Sequence, residues 1–281
     1  MATIIDGKAI ADEIYVELKK QVETLKKLGH RVTLAVIAVG DDFASKVYIA
    51  NKTKICEKIG VLLQKYELHL NTSEENLLNL IDTLNFNKNV DGILVQLPLP
   101  LHINAKNVVE KISPEKDVDG FCAENLGRIA IKSYKFLPCT PAGILEILHH
   151  EKIVLAGKHC VVLGRSNIVG CPLALLLLNN DATVTVCHKK TVNIDQICKT
   201  ADILIASIGQ PNFVKSDMVK PGSVVIDAGI SRLNNGKICG DVDFNDVKNV
   251  ASHITPVPGG VGPMTIAMLM KNVICAKLHK I

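Results

Sequence analysis

The stretch Cys160-Val161-Val162-Leu163-Gly164-Arg165-Ser166-Asn167-Ile168-Val169-Gly170 decides how the second half of this 281-residue chain is read. A short apolar run reads as a buried strand, Gly164 ends it, and an apolar helical segment of about Val169–Asn179 follows. Strand, glycine turn and helix in that order are the context of a Rossmann fingerprint. Glycine there lets the backbone approach a diphosphate, and the helix N-terminus attracts it. The pattern is Gly-x-Ser with a distant Gly170, not Gly-x-Gly-x-x-Gly, and plain strand-to-helix turns use glycine too.

The same rhythm extends in both directions. Downstream, strands are expected at Thr183–Val186, Ile203–Ser207 and Val224–Ile226, with a short helix near Asp195. Upstream, Ile10, Ile14, Leu18, Val22 and Leu25 form one stripe of a helix over about Lys8–Leu28, stopped by Gly29. Val32–Val39 reads as a buried strand, Gly40-Asp41-Asp42 as a turn, Ser45–Ile59 as a helix and Leu62–Leu68 as a strand. Ser73 caps a helix ending near Asn85, and the strand Gly92–Gln96 is stopped by Pro98 and Pro100. Thr140 is expected as an N-cap with Pro141 as first helical residue. A final helix, Pro263 to about Leu278, carries Ile266, Leu269, Met270, Val273 and Ile274 on one face. Alternating β and α segments imply parallel sheets covered by helices, an α/β class, and the length suits two domains.

Composition excludes several function classes. The chain is 48% hydrophobic and 21% charged, so it can form a globular core. The net charge of +4 is mild, and Lys19-Lys20 and Lys26-Lys27 read as a solvated helix face, so no nucleic-acid partner is expected. Nine scattered cysteines, none at Cys-x-x-Cys spacing, suggest a reducing cytoplasm and no metal site. The N-terminus has no signal-peptide character, and the apolar run Leu173–Leu178 is too short to span a membrane.

An NAD-binding fold usually places Asp or Glu at the end of its second strand to hold the ribose hydroxyls. Here that strand runs into Cys187-His188-Lys189-Lys190-Thr191, with no acid. Arg165, Lys189 and Lys190 can attract a 2′-phosphate, which favours NADP; a merely solvated turn is the alternative. Ile230, after a later strand end, is placed for the nicotinamide end.

The first half carries chemistry-bearing side chains. Tyr48 and Lys52 lie four apart on one helical face, with Ser45 one turn before Tyr48. An amphipathic helix with an exposed lysine reads the same way. Gln96 ends a buried strand, at the edge where open α/β sheets bind ligands. Lys116-Asp117-Val118-Asp119-Gly120-Phe121 puts two carboxylates in a glycine-bearing loop, compatible with ordinary turn chemistry or with ligand binding. Pro256-Val257-Pro258-Gly259-Gly260-Val261-Gly262-Pro263-Met264-Thr265 is rigid enough to hold one backbone shape.

Together, Tyr48-x-x-x-Lys52, Gln96-Leu97-Pro98-Leu99-Pro100, Lys116–Phe121, Pro138-Cys139-Thr140-Pro141, Gly164-Arg165-Ser166 and the 256–265 signature resemble the bifunctional methylenetetrahydrofolate dehydrogenase/methenyltetrahydrofolate cyclohydrolase family over nearly the whole chain. The resemblance implies NADP-dependent oxidation of 5,10-methylenetetrahydrofolate to the methenyl cation, then hydrolysis to 10-formyltetrahydrofolate. It implies a folate-binding catalytic domain over 1–139, completed by a C-terminal helix over 263–281 that returns to it, and a Rossmann-like NADP-binding domain over 140–262. Carried over motif by motif, Lys52 is the main catalytic residue, Gln96 assists it, and Tyr48 lines and orients the folate ring. Asp119 holds the pterin, Pro258, Gly259 and Gly260 line the substrate, and Gly164, Arg165, Ser166 and Ile230 contact NADP. A cytoplasmic homodimer in one-carbon metabolism, feeding purine, methionine and histidine biosynthesis, is also implied.

Phe43, Cys171, Lys189 and Ser231 depart from the family's common pattern, and the last two border the cofactor residues. Three alternatives compete: a dehydrogenase without hydrolase activity, a binding-only protein, and a two-domain dehydrogenase for another small substrate. Retention of Tyr48, Lys52 and Gln96 argues against the first, an unbroken Lys52 and Gln96 against the second, and the 256–265 signature against the third.

Overall fold

The alternating periodicities fold into the expected elements. The computed structural model describes residues 1–233 and 236–281, with the side chains of 43–45 outside the description. In chain order the elements are β1 (Thr3–Ile4), α1 (Gly7–Lys27), β2 (Thr33–Val39), α2 (Phe43–Ile59), β3 (Leu62–Leu68), α3 (Glu74–Phe86), β4 (Gly92–Val95), α4 (Ala105–Lys111), α5 (Ala123–Ala130) and α6 (Cys139–His150). There follow β5 (His159–Leu163), α7 (Gly170–Asn179), β6 (Thr183–Cys187), α8 (Ile194–Cys198), β7 (Ile203–Ala206), β8 (Val224–Asp227), β9 (Ser231–Arg232), β10 (Ile238–Cys239), α9 (Phe244–Val247), β11 (His253–Ile254) and α10 (Val261–Leu278). They divide into two compact units, one of residues 13–137 with 269–281, the other of residues 1–12 with 138–268.

In the unit of 13–137 and 269–281, a parallel sheet runs β3-β2-β4. β2 is buried almost throughout, as its unbroken apolar run requires. The chain passes from β2 to β3 on one side and β4 on the other, which makes a topological switch point at the carboxyl ends of β2 and β4. α3 packs Leu77, Ile81 and Leu84 into this core, and Ser73 caps it by accepting from the Asn76 amide, as expected. The end of the chain completes the unit. Asn272 donates to the carbonyls of Val118 and Leu137, while Lys280 reaches the Val90 carbonyl and the fully buried Asp91 carboxylate. By length and composition α10 could cross a membrane, but 61% of it is buried in the protein.

In the unit of 1–12 and 138–268, six parallel strands run β1-β11-β8-β7-β5-β6. Residues 1–12 belong here because β1 pairs with β11, whereas the sequence expectation grouped them with the first half of the chain. The switch point lies between β5 and β7.

Two helix starts differ from expectation. α6 begins at Cys139 with Pro138 at the cap position, so Thr140 is inside the helix, where its hydroxyl pairs with that of Thr265 at 3.1 Å. α10 begins at Val261, two residues before Pro263, whose missing N–H costs nothing within a first turn. Helices α4 and α5 were not expected from the sequence.

Candidate active site

Lys52 lies on the third turn of α2 and is 9% exposed. Its ammonium donates to Oε1 of Gln96 at 2.9 Å. Gln96 follows the last residue of β4 at the switch point, with its own N–H still held by the Ile37 carbonyl of β2. Its Nε2 donates to the Leu97 carbonyl at 2.7 Å, which fixes the amide orientation and leaves Oε1 toward the lysine. The sheet edge thus orients the glutamine, and the glutamine orients the lysine. Tyr48, one turn earlier on α2, is 36% exposed, and partial burial raises its phenol above the usual value. The side chain of Ser45 lies outside the described residues.

The two carboxylates of the 116–121 loop separate by role. Asp117 is buried and accepts from the amides of Gly120 and Cys122 and from Nδ2 of Asn125 at 2.9–3.1 Å, so it builds the loop. Lys116 donates to the carbonyls of Leu84 and Asn87; desolvation, helped by nearby Lys280, pushes its ammonium down to about 8. The Ile93 amide donates to the Lys116 carbonyl, and Ile93 bridges Asp117, so the loop runs beside β4 like a further parallel strand. Asp119 follows two residues later, half-buried, toward the edge that carries Gln96.

In the other unit, β5 ends at the buried Gly164, whose φ is +113°. A Cβ there would run into the carbonyl of Ser207, which follows β7, and a Cβ at Gly170 would run into the Gly164 carbonyl. Only glycine fits at both, so the turn closes tightly between the two strands at the switch point. Between them Arg165 and Ser166 are exposed, and the Ser166 hydroxyl accepts from the Val169 amide. This cradle and the start of the ten-residue α7 suit a dinucleotide diphosphate. After β6, His188 and Thr191 close a turn on each other, and Lys189 and Lys190 are exposed on it. Ile230, three residues beyond β8, is 51% exposed. Pro258-Gly259-Gly260 forms a tight turn in which the Gly260 amide donates to the Pro256 carbonyl. The Lys8 amide, at the start of α1, donates to the Gly259 carbonyl. Leu97–Pro98 and Val257–Pro258 are cis.

Residues 5–119 match the model of the tetrahydrofolate dehydrogenase/cyclohydrolase catalytic domain, and residues 138–280 match that family's NAD(P)-binding domain. The chain belongs to the tetrahydrofolate dehydrogenase/cyclohydrolase family. It is 58% identical to the bifunctional protein FolD of Lachnoclostridium phytofermentans, over 97% of this chain and 96% of that one. The solved bifunctional FolD of Campylobacter jejuni superposes with a TM-score of 0.98 at 48% identity, covering 100% of both chains. The Trypanosoma brucei dehydrogenase-cyclohydrolase, solved with NADP cofactor and an inhibitor, gives 0.96 at 37% identity, covering 99% of this chain and 98% of that one.

Two further residues of this family member escaped the sequence reading. Asp227 and Asp241 are buried acids that hold the loops bordering the nucleotide cradle. Their signal was present as an acid ending a strand (Asp227) and one directly after a glycine (Asp241). No cysteine forms a disulfide, and burial pushes the thiols of Cys56, Cys122, Cys160 and Cys198 up to about 12, which disfavours their thiolates.

Proposed function

We propose that Lys52, oriented by Gln96, is the base of the second of the two reactions; the 2.9 Å Lys52–Gln96 hydrogen bond is the observation that supports it most directly. The enzyme oxidises 5,10-methylenetetrahydrofolate to the 5,10-methenyl cation and hydrolyses that cation to 10-formyltetrahydrofolate. NADP, when bound, supplies the hydride acceptor. The carbon that loses hydride is flanked by two nitrogens, so the product cation is stabilised by resonance, and the protein mainly orients its ligands. Gly164, Arg165, Ser166 and Ile230 hold the dinucleotide, and the exposed Lys189 and Lys190 attract its 2′-phosphate. Asp119 accepts from the pterin N–H groups and Tyr48 lines the ring; Pro258, Gly259 and Gly260 are further substrate-contacting residues in this reading.

Hydrolysis requires a base beside a cation. A cationic substrate and desolvation both push a neighbouring ammonium toward its neutral form. Neutral Lys52 takes a proton from the attacking water. The water oxygen bonds to the methenyl carbon, and the bond to N5 then breaks as the remaining hydroxyl proton is passed to N5 and the oxygen becomes the formyl carbonyl. The formyl group stays on N10, N5 is left as an amine, and one proton is released overall. Gln96 keeps the lysine aimed, because the tie of its Nε2 to the Leu97 carbonyl leaves Oε1 turned toward the ammonium.

In this reading the unit of 13–137 with 269–281 binds folate, and the unit of 1–12 with 138–268 binds NADP. The protein acts as a cytoplasmic homodimer, supplying formyl groups for purine synthesis and, through the same folate pool, methionine and histidine synthesis. The free, mostly buried cysteines suit that compartment.

The deciding experiment is Lys52→Gln, assayed for methenyl decay. We expect hydrolysis to fall by about 10²–10⁴-fold with the melting temperature kept. Full hydrolase activity in a folded variant would refute the role.

A further inference from the structure

The carboxyl edge of the six-stranded sheet carries two buried acids whose hydrogen bonds, among the described residues, involve no basic side chain. Asp227, the last residue of β8, is 3% exposed, and Asp241, just after β10, is 0% exposed. Each accepts three backbone N–H groups. Asp227 takes those of Gly229 (2.9 Å), Asp241 (3.0 Å) and Val242 (2.9 Å). Asp241 takes those of Ile208 (2.6 Å), Gly209 (3.1 Å) and Gln210 (2.8 Å). One acid therefore holds the amide of the other, and the chain of contacts runs on to ligand-facing loops.

Both ends of that chain reach the nucleotide edge. Asp227 fixes Gly229, the residue before Ile230. Asp241 fixes 208–210, directly after Ser207, whose N–H and hydroxyl both donate to the Leu163 carbonyl and whose own carbonyl closes against Gly164. The fit leaves no slack: a Cβ at Gly229 would enter the Asp241 carboxylate, and one at Gly240 the Asp227 carboxylate. Burying two carboxylates is costly, and a purely structural loop could be closed with neutral groups. A carboxylate that accepts several amides fixes their directions more strictly than a neutral acceptor does.

We infer that Asp227 and Asp241 act as a linked pair of positioning residues that pre-forms the nucleotide edge, setting the loops 207–210 and 228–230 against the Gly164 turn before the dinucleotide arrives. This deepens the reading that Gly164, Arg165, Ser166 and Ile230 hold NADP, and rests on it. Burial pushes the Asp227 carboxyl up to about 6, with Asp241 as the charged group facing it, so it is largely ionised at neutral pH; the backbone N–H of Asp227 donates to the Thr255 hydroxyl.

The two activities of this enzyme separate positioning from mere stability, because hydrolysis of the methenyl substrate uses no hydride acceptor. Asp241→Asn and Asp227→Asn each replace one acceptor oxygen by a donor facing a backbone N–H. The full-length protein is assayed for NADP binding by titration calorimetry, for dehydrogenase kcat and KM for NADP, and for hydrolysis of supplied methenyltetrahydrofolate. We expect the NADP Kd and KM to rise at least about tenfold while hydrolysis stays within about twofold. An unchanged NADP Kd in the folded variants, or a parallel fall of both activities, overturns the inference. Should the variants not fold, hydrogen exchange on the wild type decides. The pair predicts that the amides of 208–210 and 229 are protected before NADP is added and change little on its addition; free exchange without NADP overturns it. A wild type that fails to bind NADP at all would instead remove the nucleotide-edge assignment, a separate and recognisable outcome.

Discussion

The two ligand-facing edges of this enzyme are built from different materials. On the side we assign to folate the working groups are side chains: Lys52 aimed by Gln96, with Asp119 on a loop that runs beside the same strand. On the side we assign to the nucleotide they are largely backbone: the Gly164 turn, the start of α7 and the loops held by Asp227 and Asp241. Both sit at the switch point of a parallel sheet, where strand order reverses and the loops diverge. The difference follows from the tasks. A proton must be moved by a titratable group, whereas a diphosphate is held well by amides and a helix dipole. Damage to the first edge should therefore be chemical and read in the pH profile of hydrolysis, and damage to the second geometric and read in the affinity for NADP.

The sharpest break is Gly170→Ala. Its Cβ would enter the Gly164 carbonyl, so the turn must shift by an amount that costs about 10²-fold in oxidation, while hydrolysis of supplied methenyl substrate persists. Side-by-side assays check this, and an equal loss of both activities would deny the separation. Gln96→Glu should lower hydrolysis at pH 7 by roughly 10–100-fold and restore it at higher pH. A carboxylate beside Lys52 favours the ammonium, so the neutral base appears only at more alkaline pH. A pH profile that drops without moving would place the glutamine elsewhere in the mechanism. Asp119→Asn should raise the folate KM about tenfold with little change in the NADP KM, the worth of a charge-assisted hydrogen bond. Smallest of all, Lys189→Ser with Lys190→Ser should cost only about 2–5-fold in preference for NADP over NAD, because exposed charges act through solvent. The ratio of kcat/KM for the two cofactors reads it directly.

The same division governs what the sequence disclosed. Lys52, Tyr48 and Gln96 stood out as polar groups on one helical face or at a strand end, whereas their proposed roles, and the choice of Asp119, came from the family resemblance. Nothing in the sequence distinguished Asp117 from Asp119; that needed the three donors around Asp117. Asp227 and Asp241 carried only a faint signal, an acid at a strand end and one after a glycine, because their partners are amides, which every residue owns. Long periodic elements such as α1, β2 and α3 read correctly to within a few residues. The two-residue strands β1 and β11 have no period to read, so the membership of residues 1–12 emerged only from their pairing. Thr140 misled as a cap because Pro138 already supplies the turn into α6, and its hydroxyl finds Thr265 instead.

The late placement of Lys280 has a consequence for biosynthesis. It grips Asp91 from 189 residues further along the chain, and Asn272 closes on Val118 across 154. A unit that begins at residue 13 therefore cannot finish its core until residues 272–280 have been made; a chain cut short before them would leave its earlier half unsealed, a substrate for quality control rather than a slightly shorter enzyme.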